Sequence, residues 1–309
     1  MSSATRALLI FNPIAGRNPA SRTARVEALA RGLRRGGWTV DIAATDAERG
    51  AFPAAERGLC AGYSVLVGCG GDGTLNQIAH AIASAPAPHP ALAVAPPFGT
   101  ANVYARAIGC PGHPAAAARW LLRARPQPRP LGLAVTSDGP RHFLAVASIG
   151  YDAAVVRDLH PAAKRRWGKL AFVASVGVAW RRYFPASFDY EAGNLCGRAD
   201  GLMLALTPFY AGRLHLGRPG PDGALALALR GAPRLLPLQA LFLLTCGLEF
   251  APGVERLPPG SITVTTPGRP LELDGEFVGA TPATLSVVAA AVHVLVGRPP
   301  LAAPPDPVS

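Results

Sequence analysis

The chain has 309 residues, of which 50% are hydrophobic and only 16% charged, enough for one large or two medium domains, each with its own core. A formal charge of +11 and a pI near 10.2 suit an anionic partner such as nucleotide phosphates or an acidic membrane surface, while the lack of zinc spacing, stacked aromatic motifs or a continuous basic helix argues against nucleic-acid readout. Five scattered cysteines with no C-x-x-C pair argue against a disulfide framework and for a reducing cytoplasm, and no apolar run reaches the roughly 18 residues of a membrane span, so membrane contact is expected to be peripheral.

The pattern opens with a strand at Ala7 to Phe11, followed by a helix with Asn18 as N-cap and Pro19 at its first position. Val26, Leu29, Ala30 and Leu33 recur at helical spacing, and Gly36-Gly37 end the stripe. A strand at Trp38 to Ala43 leads to Thr45 and Glu48, spaced as the capping box of a second helix. The apolar run Val65-Leu66-Val67-Gly68 passes through Cys69, read as a small buried filler, into Gly70-Gly71-Asp72-Gly73-Thr74-Leu75-Asn76 and another helical pattern. A strand at Ala91 to Ala95 exits through Pro96 to Thr100 into a helix over Ala101 to Ile108, and a helix over His113 to Ala124 follows. Strands alternating with helices predict a mostly parallel, doubly wound α/β domain over residues 1–130, with its ligand loops at the carboxyl ends of the strands.

After Arg125 to Pro130, read as a linker, short strands separated by turn residues predict a mainly antiparallel β-sandwich over residues 131–298. Leu131 to Thr136 and His142 to Ala147 read as a hairpin around Ser137 to Pro140; later strands fit Gly201 to Leu206, Ala224 to Leu229, Ser261 to Thr266, Pro270 to Leu273 and Thr284 to Val288. Two helical stretches interrupt them, Ala163 to Arg182 and Pro237 to Thr245. The first combines basic clusters, an apolar run and flanking tryptophans, which fits either an interfacial helix on an anionic bilayer or a buried helix packed on the sandwich. Residues 299–309 lack any apolar period and read as a disordered tail.

The glycine run is where a phosphate-binding loop belongs. Its glycines allow backbone angles closed to other residues and bring N–H groups close to a charged ligand, the next helix points its positive end there, and Asp72 suits a magnesium ion carried by that phosphate, directly or through water. Asn12-Pro13-Ile14-Ala15-Gly16-Arg17, at the end of the first strand, offers an amide, a glycine turn and a guanidinium to phosphate oxygens. Phe98-Gly99-Thr100-Ala101-Asn102 is expected across the same sheet edge, and Leu273-Asp274-Gly275-Glu276 places two carboxylates around a glycine at a strand end. His80 and His293 have no metal partner at a ligand-like spacing, and Tyr151 and Asp152 begin a helix near the expected cleft.

Together, NPIAGR, Thr45, GGDGTLN, FGTANVYAR, SIGYDA, RRWGKLAF and LDGE, in this order along nearly the whole chain, closely resemble the diacylglycerol kinase catalytic family of bacterial lipid kinases, related to sphingosine and ceramide kinases. The resemblance implies ATP in a cleft between the two domains, contacted by Asn12, Gly16, Arg17, Thr45, Gly70 to Asn76, Gly99, Thr100 and Asn102, with Asp72 near a catalytic Mg²⁺. It also implies that Glu276 takes the proton from a lipid hydroxyl attacking the γ-phosphate and that Asp274 is a polarising or metal-linked partner. Diacylglycerol leads as acceptor, with a sphingoid base or ceramide next. An NAD kinase, which shares GGDGT, is disfavoured by the missing second Asn-Glu motif, and a non-catalytic nucleotide- or lipid-binding protein by the intact Asp72, Asp274 and Glu276. The chain departs from the family at Val103, where many members carry Asp, and at Asp222, a single acid where bacterial members often have a pair near a structural magnesium; Asp222 reads as that metal's ligand or as part of an Asp-Gly turn. The implied location is cytoplasmic and peripheral to an anionic membrane.

Overall fold

The computed structural model describes residues 5–13, 19–86, 90–94, 98–99, 101–158, 187–231 and 234–297. Strands β1 (Arg6–Phe11), β2 (Thr39–Ala44), β3 (Val65–Cys69) and β4 (Ala91–Val94) lie parallel in the order β2-β1-β3-β4. Helices α1 (Pro19–Arg35), α2 (Phe52–Cys60), α3 (Asp72–Ser84), α4 (Val103–Ala107) and α5 (Pro114–Leu122) complete the first layers. Alternation along β1 explains the two-sided packing. Ala7 and Leu9 meet Val26, Leu29 and Leu33 of α1 and Trp120 of α5, whereas Leu8 and Ile10 meet Ala55 of α2 and Ile78 of α3. A strand covered on both faces needs apolar residues throughout, hence the run ALLI. The second helix starts at Phe52 rather than at a Thr45 capping box: Oδ1 of Asp46 accepts the N–H groups of Glu48 and Arg49, closing a turn before the helix can begin.

The expected linker is paired strand. Arg125–Thr136 form one twelve-residue strand, β5, antiparallel to the final strand β18 (Ala283–Val296) along its length. Among the described residues, only 132–136 of β5 have a second neighbour, β6 (Gly139–Phe143). Pro126, Pro128 and Pro130 therefore sit where alternate backbone positions face an open edge, and their missing N–H groups leave the β18 ladder intact. Near its C-terminus β18 runs parallel to β4 through Val294 and Leu92, and near its start it pairs with β15 (Ile262–Val264). The β5–β18 pair thus runs from one half of the molecule into the other.

The remaining strands are β7 (Val146–Gly150), β8 (Phe188–Ala192), β9 (Leu195–Ala199), β10 (Gly201–Ala205), β11 (Phe209–Tyr210), β12 (Leu214–His215), β13 (Leu225–Leu229), β14 (Val254–Arg256), β16 (Pro270–Leu273) and β17 (Glu276–Ala280), with helices α6 (Tyr151–Asp158) and α7 (Leu236–Thr245). A six-stranded sheet, β14-β13-β10-β7-β16-β17, faces β5, β6, β8, β15 and β18 across a core of Phe143, Phe188, Tyr190, Ile262 and Leu285 against Ile149, Leu202, Leu204 and Leu271. This is the expected sandwich, with one break unforeseen. His142 to Ala147 is not a single strand: β6 ends at Phe143, β7 begins at Val146 in the other sheet, and the N–H groups of Leu144, Ala145 and Val146 all turn to the carboxylate of Asp274.

Candidate active site

The parallel register sets the first wall of the site. Phe11 is level with Ala44 on one side and Cys69 on the other, so Asn12, Thr45 and Gly70 follow one another along the carboxyl edge of the sheet. The Thr45 N–H donates to the Phe11 carbonyl at 2.9 Å. Beneath this edge the buried Arg22 of α1 donates to the carbonyls of Asn12 and Pro13 at 3.2 and 3.0 Å. Sequence reading missed Arg22 because it stands on an ordinary helix. Gly16, Arg17 and Thr100, expected beside the nucleotide, lie outside the described residues, as does the stretch Ala163 to Arg182. Cys69 is wholly buried and its thiol is pushed up by that burial, consistent with a core filler.

The glycines serve close approach rather than unusual angles. None of Gly70, Gly71 and Gly73 has φ between +20° and +160°. A Cβ on Gly99 would stand 2.7 Å from the Gly71 Cα, so the two loops touch through their glycines, and a Cβ on Gly73 would collide with Oε1 of Glu276. Gly71 occupies the N-cap of α3 and brings no side chain to the first-turn amides, so the positive end of this thirteen-residue helix favours an anion.

Asp72 and Asn102 are spent on the loops themselves. The two oxygens of Asp72 accept the N–H groups of Val103 and Tyr104 at 3.1 Å each, capping α4, while burial pushes its carboxyl up against the pull of those amides. Asn102, in left-handed backbone, closes its own loop by accepting the Gly99 N–H at 2.8 Å and donating to the Gly99 carbonyl at 2.6 Å. Leu75 points into the core and Thr74 is buried. The Asn76 amide donates to the carbonyl of His142 at 2.9 Å and to Asp274 at 2.7 Å. The side chains of Asn76, Leu75 and Asn102, expected at the nucleotide, are thereby engaged in holding the site together.

Asp274 is the second half of that scaffold. Its Oδ2 accepts from Asn76 and from the Leu144 N–H at 2.8 Å; its Oδ1 accepts from Ala145 at 2.7 Å and Val146 at 3.0 Å. Four donors use its lone pairs, so it ties α3, the β6–β7 break and the β16–β17 turn together instead of standing open to a metal. Burial raises its carboxyl to about 6 in spite of these donors. Glu276, two residues on, is exposed and reaches the first turn of α3 beside Gly73.

Under the same turn lies a polar cluster that sequence spacing could not reveal. The Ser148 hydroxyl is 2.6 Å from Oδ2 of Asp152 and 3.0 Å from Oε1 of Glu272, Tyr210 donates to Asp152, and Oε2 of Glu272 accepts the Gly275 N–H at 2.7 Å. One hydroxyl carries one proton and cannot donate to two carboxylates, so a second proton is held on the acids. Burial raises both carboxyls. Asp152 has the Tyr210 donor as well, and the Glu272 carboxyl is pushed well above its ordinary value by burial and by the neighbouring Asp152 charge, which favours the protonated form of Glu272. His80 also gained a partner, the His142 ring at 2.9 Å between Nδ1 atoms, across α3 and β6.

The residues present do not fit a magnesium cage. Among the described residues no three His, Cys, Asp or Glu side chains converge on a possible cation position. Asp72 and Asp274 are committed to amides, and Asp222 accepts the Ala224 N–H at 3.3 Å in a turn closed by Gly220 and Ala224, the Asp-Gly turn reading of that motif.

The sequence pattern described as the diacylglycerol kinase catalytic domain matches residues 6–134. The chain is 31% identical over 284 residues to a protein of Pseudomonas putida named "Probable lipid kinase YegS-like", covering 88% of this chain and 91% of that one. A protein of the same name from Pseudomonas fluorescens is 32% identical over 303 residues, covering 92% and 95%. The solved structure of a diacylglycerol kinase from Bacillus anthracis superposes with a TM-score of 0.69 at 17% identity, over 98% of this chain and 100% of that one, a likeness of fold.

Proposed function

The chain belongs to the diacylglycerol kinase catalytic-domain family, and we propose that it is a lipid kinase that transfers the γ-phosphate of ATP to a lipid hydroxyl, with Glu276 as the proton acceptor and diacylglycerol as the first acceptor to test. One observation carries this reading: Glu276, from the second half of the molecule, reaches the N-terminus of α3 at Gly73. Phosphoryl transfer depends chiefly on positioning and charge neutralisation. The α3 amides and the touching Gly71 and Gly99 loops offer a phosphate cradle, and a carboxylate at its rim is placed to accept the hydroxyl proton as the oxygen attacks phosphorus.

In this reading Asn12, Thr45 and the backbone of Gly70 to Thr74 line the nucleotide side. Asp72, Asn76, Asn102 and Asp274 act as positioning residues, through the amides and turns they hold. Asp72 and Asp274 are already satisfied by amides, so a magnesium ion would have to be held mainly by the nucleotide itself, where it would supply charge neutralisation. The lipid comes from a membrane surface to which the protein attaches; no helix among the described residues is long and apolar enough to span a bilayer.

The test is incubation with ATP labelled at the γ-phosphate and a panel of diacylglycerol, sphingoid base and ceramide, with products identified by mass. Label on diacylglycerol is the expected result. Label on a sphingoid base or ceramide alone would overturn the acceptor, and no label on any lipid would overturn the activity.

A further inference from the structure

Helix α7 is built inside out. Its ten residues, LPLQALFLLT, carry no charge, and its buried residue is Gln239, whose Nε2 donates to the carbonyls of Arg230 and Pro252 at 3.1 and 3.2 Å. The leucines face outward instead: Leu238, Leu241 and Leu244 are 38%, 53% and 67% exposed, and Phe250, just beyond the helix, is 65% exposed. Three-residue spacing places the leucines along one face, and a helix normally buries that face and exposes the polar residue. Here the polar side chain is satisfied inside, so turning the helix over would strand the Gln239 amide. A contiguous exposed apolar face of this kind marks a contact surface.

The surroundings suit one partner. Between residues 201 and 256 the sequence has five arginines, Arg213, Arg218, Arg230, Arg234 and Arg256, against three acids, Asp222, Glu249 and Glu255; Glu255 is paired with Arg230 and Glu249 with Arg256, which leaves Arg213, Arg218 and Arg234 as the excess positive charge. Arg213, Arg218 and Arg234 are exposed, Arg234 two residues before the first residue of α7. An apolar stripe rimmed by arginines complements a bilayer bearing anionic headgroups. Ten residues make a helix of about 15 Å, half of the roughly 30 Å hydrocarbon core, so α7 can lie in the interface but cannot span it. The face is also coupled to the cleft. Phe242 and Leu243 pack on the cluster containing Tyr210, Leu216, Leu248 and Val103, and Gly212 lies against the Ala101 carbonyl, so α7 is one packing layer from the loop that touches Gly71.

We propose that the outer face of α7, with Phe250 and the flanking arginines, is the surface by which this protein docks on an anionic phospholipid bilayer and presents its cleft to lipid. This rests on the lipid-kinase reading of the cleft, but its test does not. The full chain is mixed with phosphatidylcholine vesicles with or without phosphatidylglycerol, and binding is read by co-flotation without nucleotide. The wild type should float with the phosphatidylglycerol vesicles. The double variant Leu241→Ser/Leu244→Ser should bind at least about tenfold more weakly, since each leucine withdraws apolar area from the bilayer, with thermal unfolding unchanged because both side chains are outside the core.

Unchanged flotation of the folded variant overturns the proposal, as does a wild type that does not float. A lowered unfolding midpoint with unchanged flotation would show that the leucines cover another part of this chain, and a concentration-dependent dimer abolished by the variant with unchanged flotation would show a contact between copies. A second readout separates docking from chemistry: turnover on a short-chain lipid dispersed as monomers should survive in the double variant, while turnover on vesicles should fall with binding. Loss of both in equal measure would assign the leucines to the cleft and overturn docking.

Discussion

The β16–β17 turn has two faces, and they use the same residue type in opposite ways. On the open face Glu276 is exposed and extends to α3 over a glycine. On the buried face Asp274 takes four donors, and Glu272 shares protons with Ser148 and Asp152. Three acids within five residues therefore differ in what surrounds them, not in what they are. A carboxylate whose lone pairs are filled can fix geometry, whereas one left at a rim can exchange a proton.

Substitutions can break this contrast. The largest effect is expected at the open face: Glu276→Gln should lower kcat by roughly 10²- to 10⁴-fold, the usual worth of a general base, with nucleotide affinity and the unfolding midpoint unchanged. Next comes Gly73→Ala. Its new Cβ would meet the end of a flexible side chain, so Glu276 should swing aside, with kcat falling roughly 10- to 100-fold through misplacement and little change in thermal stability. Equal kcat in Gly73→Ala would mean that the approach of Glu276 to α3 has no catalytic use.

The buried face should answer in stability. Asp274→Asn sets an amide donor against the N–H of Leu144 and the Asn76 amide, and should destabilise by about 1–3 kcal/mol, measured by chemical denaturation. The smallest effect is at Glu272. A carboxyl raised by burial holds its proton more tightly in the folded state than in the unfolded chain, so its contribution is full below the unfolded value, near 4.5, and is lost as pH rises towards the folded one. Glu272→Gln keeps a donor towards Ser148 and an acceptor for Gly275 but cannot ionise. Its unfolding midpoint relative to wild type should therefore climb by a few degrees as pH goes from 5 to 8; a constant difference would show that Glu272 is ionised when folded. Asp274 should add to the wild type's decline between about pH 4 and 6, by the same sign.

Much of the fold was legible because the two halves differ in period. Leu8, Leu9 and Ile10 form a run that only a doubly covered strand needs, while Val26, Leu29 and Leu33 repeat at helical spacing. The α/β half and the antiparallel sandwich follow from that change. Strands β8 and β9 were missed although Phe188, Tyr190 and Ala192 alternate with exposed Asp189 and Glu191, a period-two signal in plain view. Residues 125–130 misled because three prolines resemble a linker until the open edge of β5 is known. The motifs named the loops correctly as neighbours, since Gly71 touches Gly99 and Asn76 holds Asp274. They could not say which side chains are spent inside the scaffold: Asp72, Asn76 and Asn102 are, through bonds to backbone groups and to Asp274. Ser148, Asp152, Tyr210 and Glu272 come from four elements, and no spacing in the chain announces their meeting.

The most direct measurement compares the isosteric variants Glu276→Gln and Glu272→Gln at pH 7, following γ-phosphate transfer to diacylglycerol and ATP affinity on the same samples. Both should bind ATP as the wild type does. Glu272→Gln should retain turnover within a few fold and Glu276→Gln should lose it; retained turnover in Glu276→Gln, or equal loss in both, would contradict the assignment of chemistry to the open face of the turn.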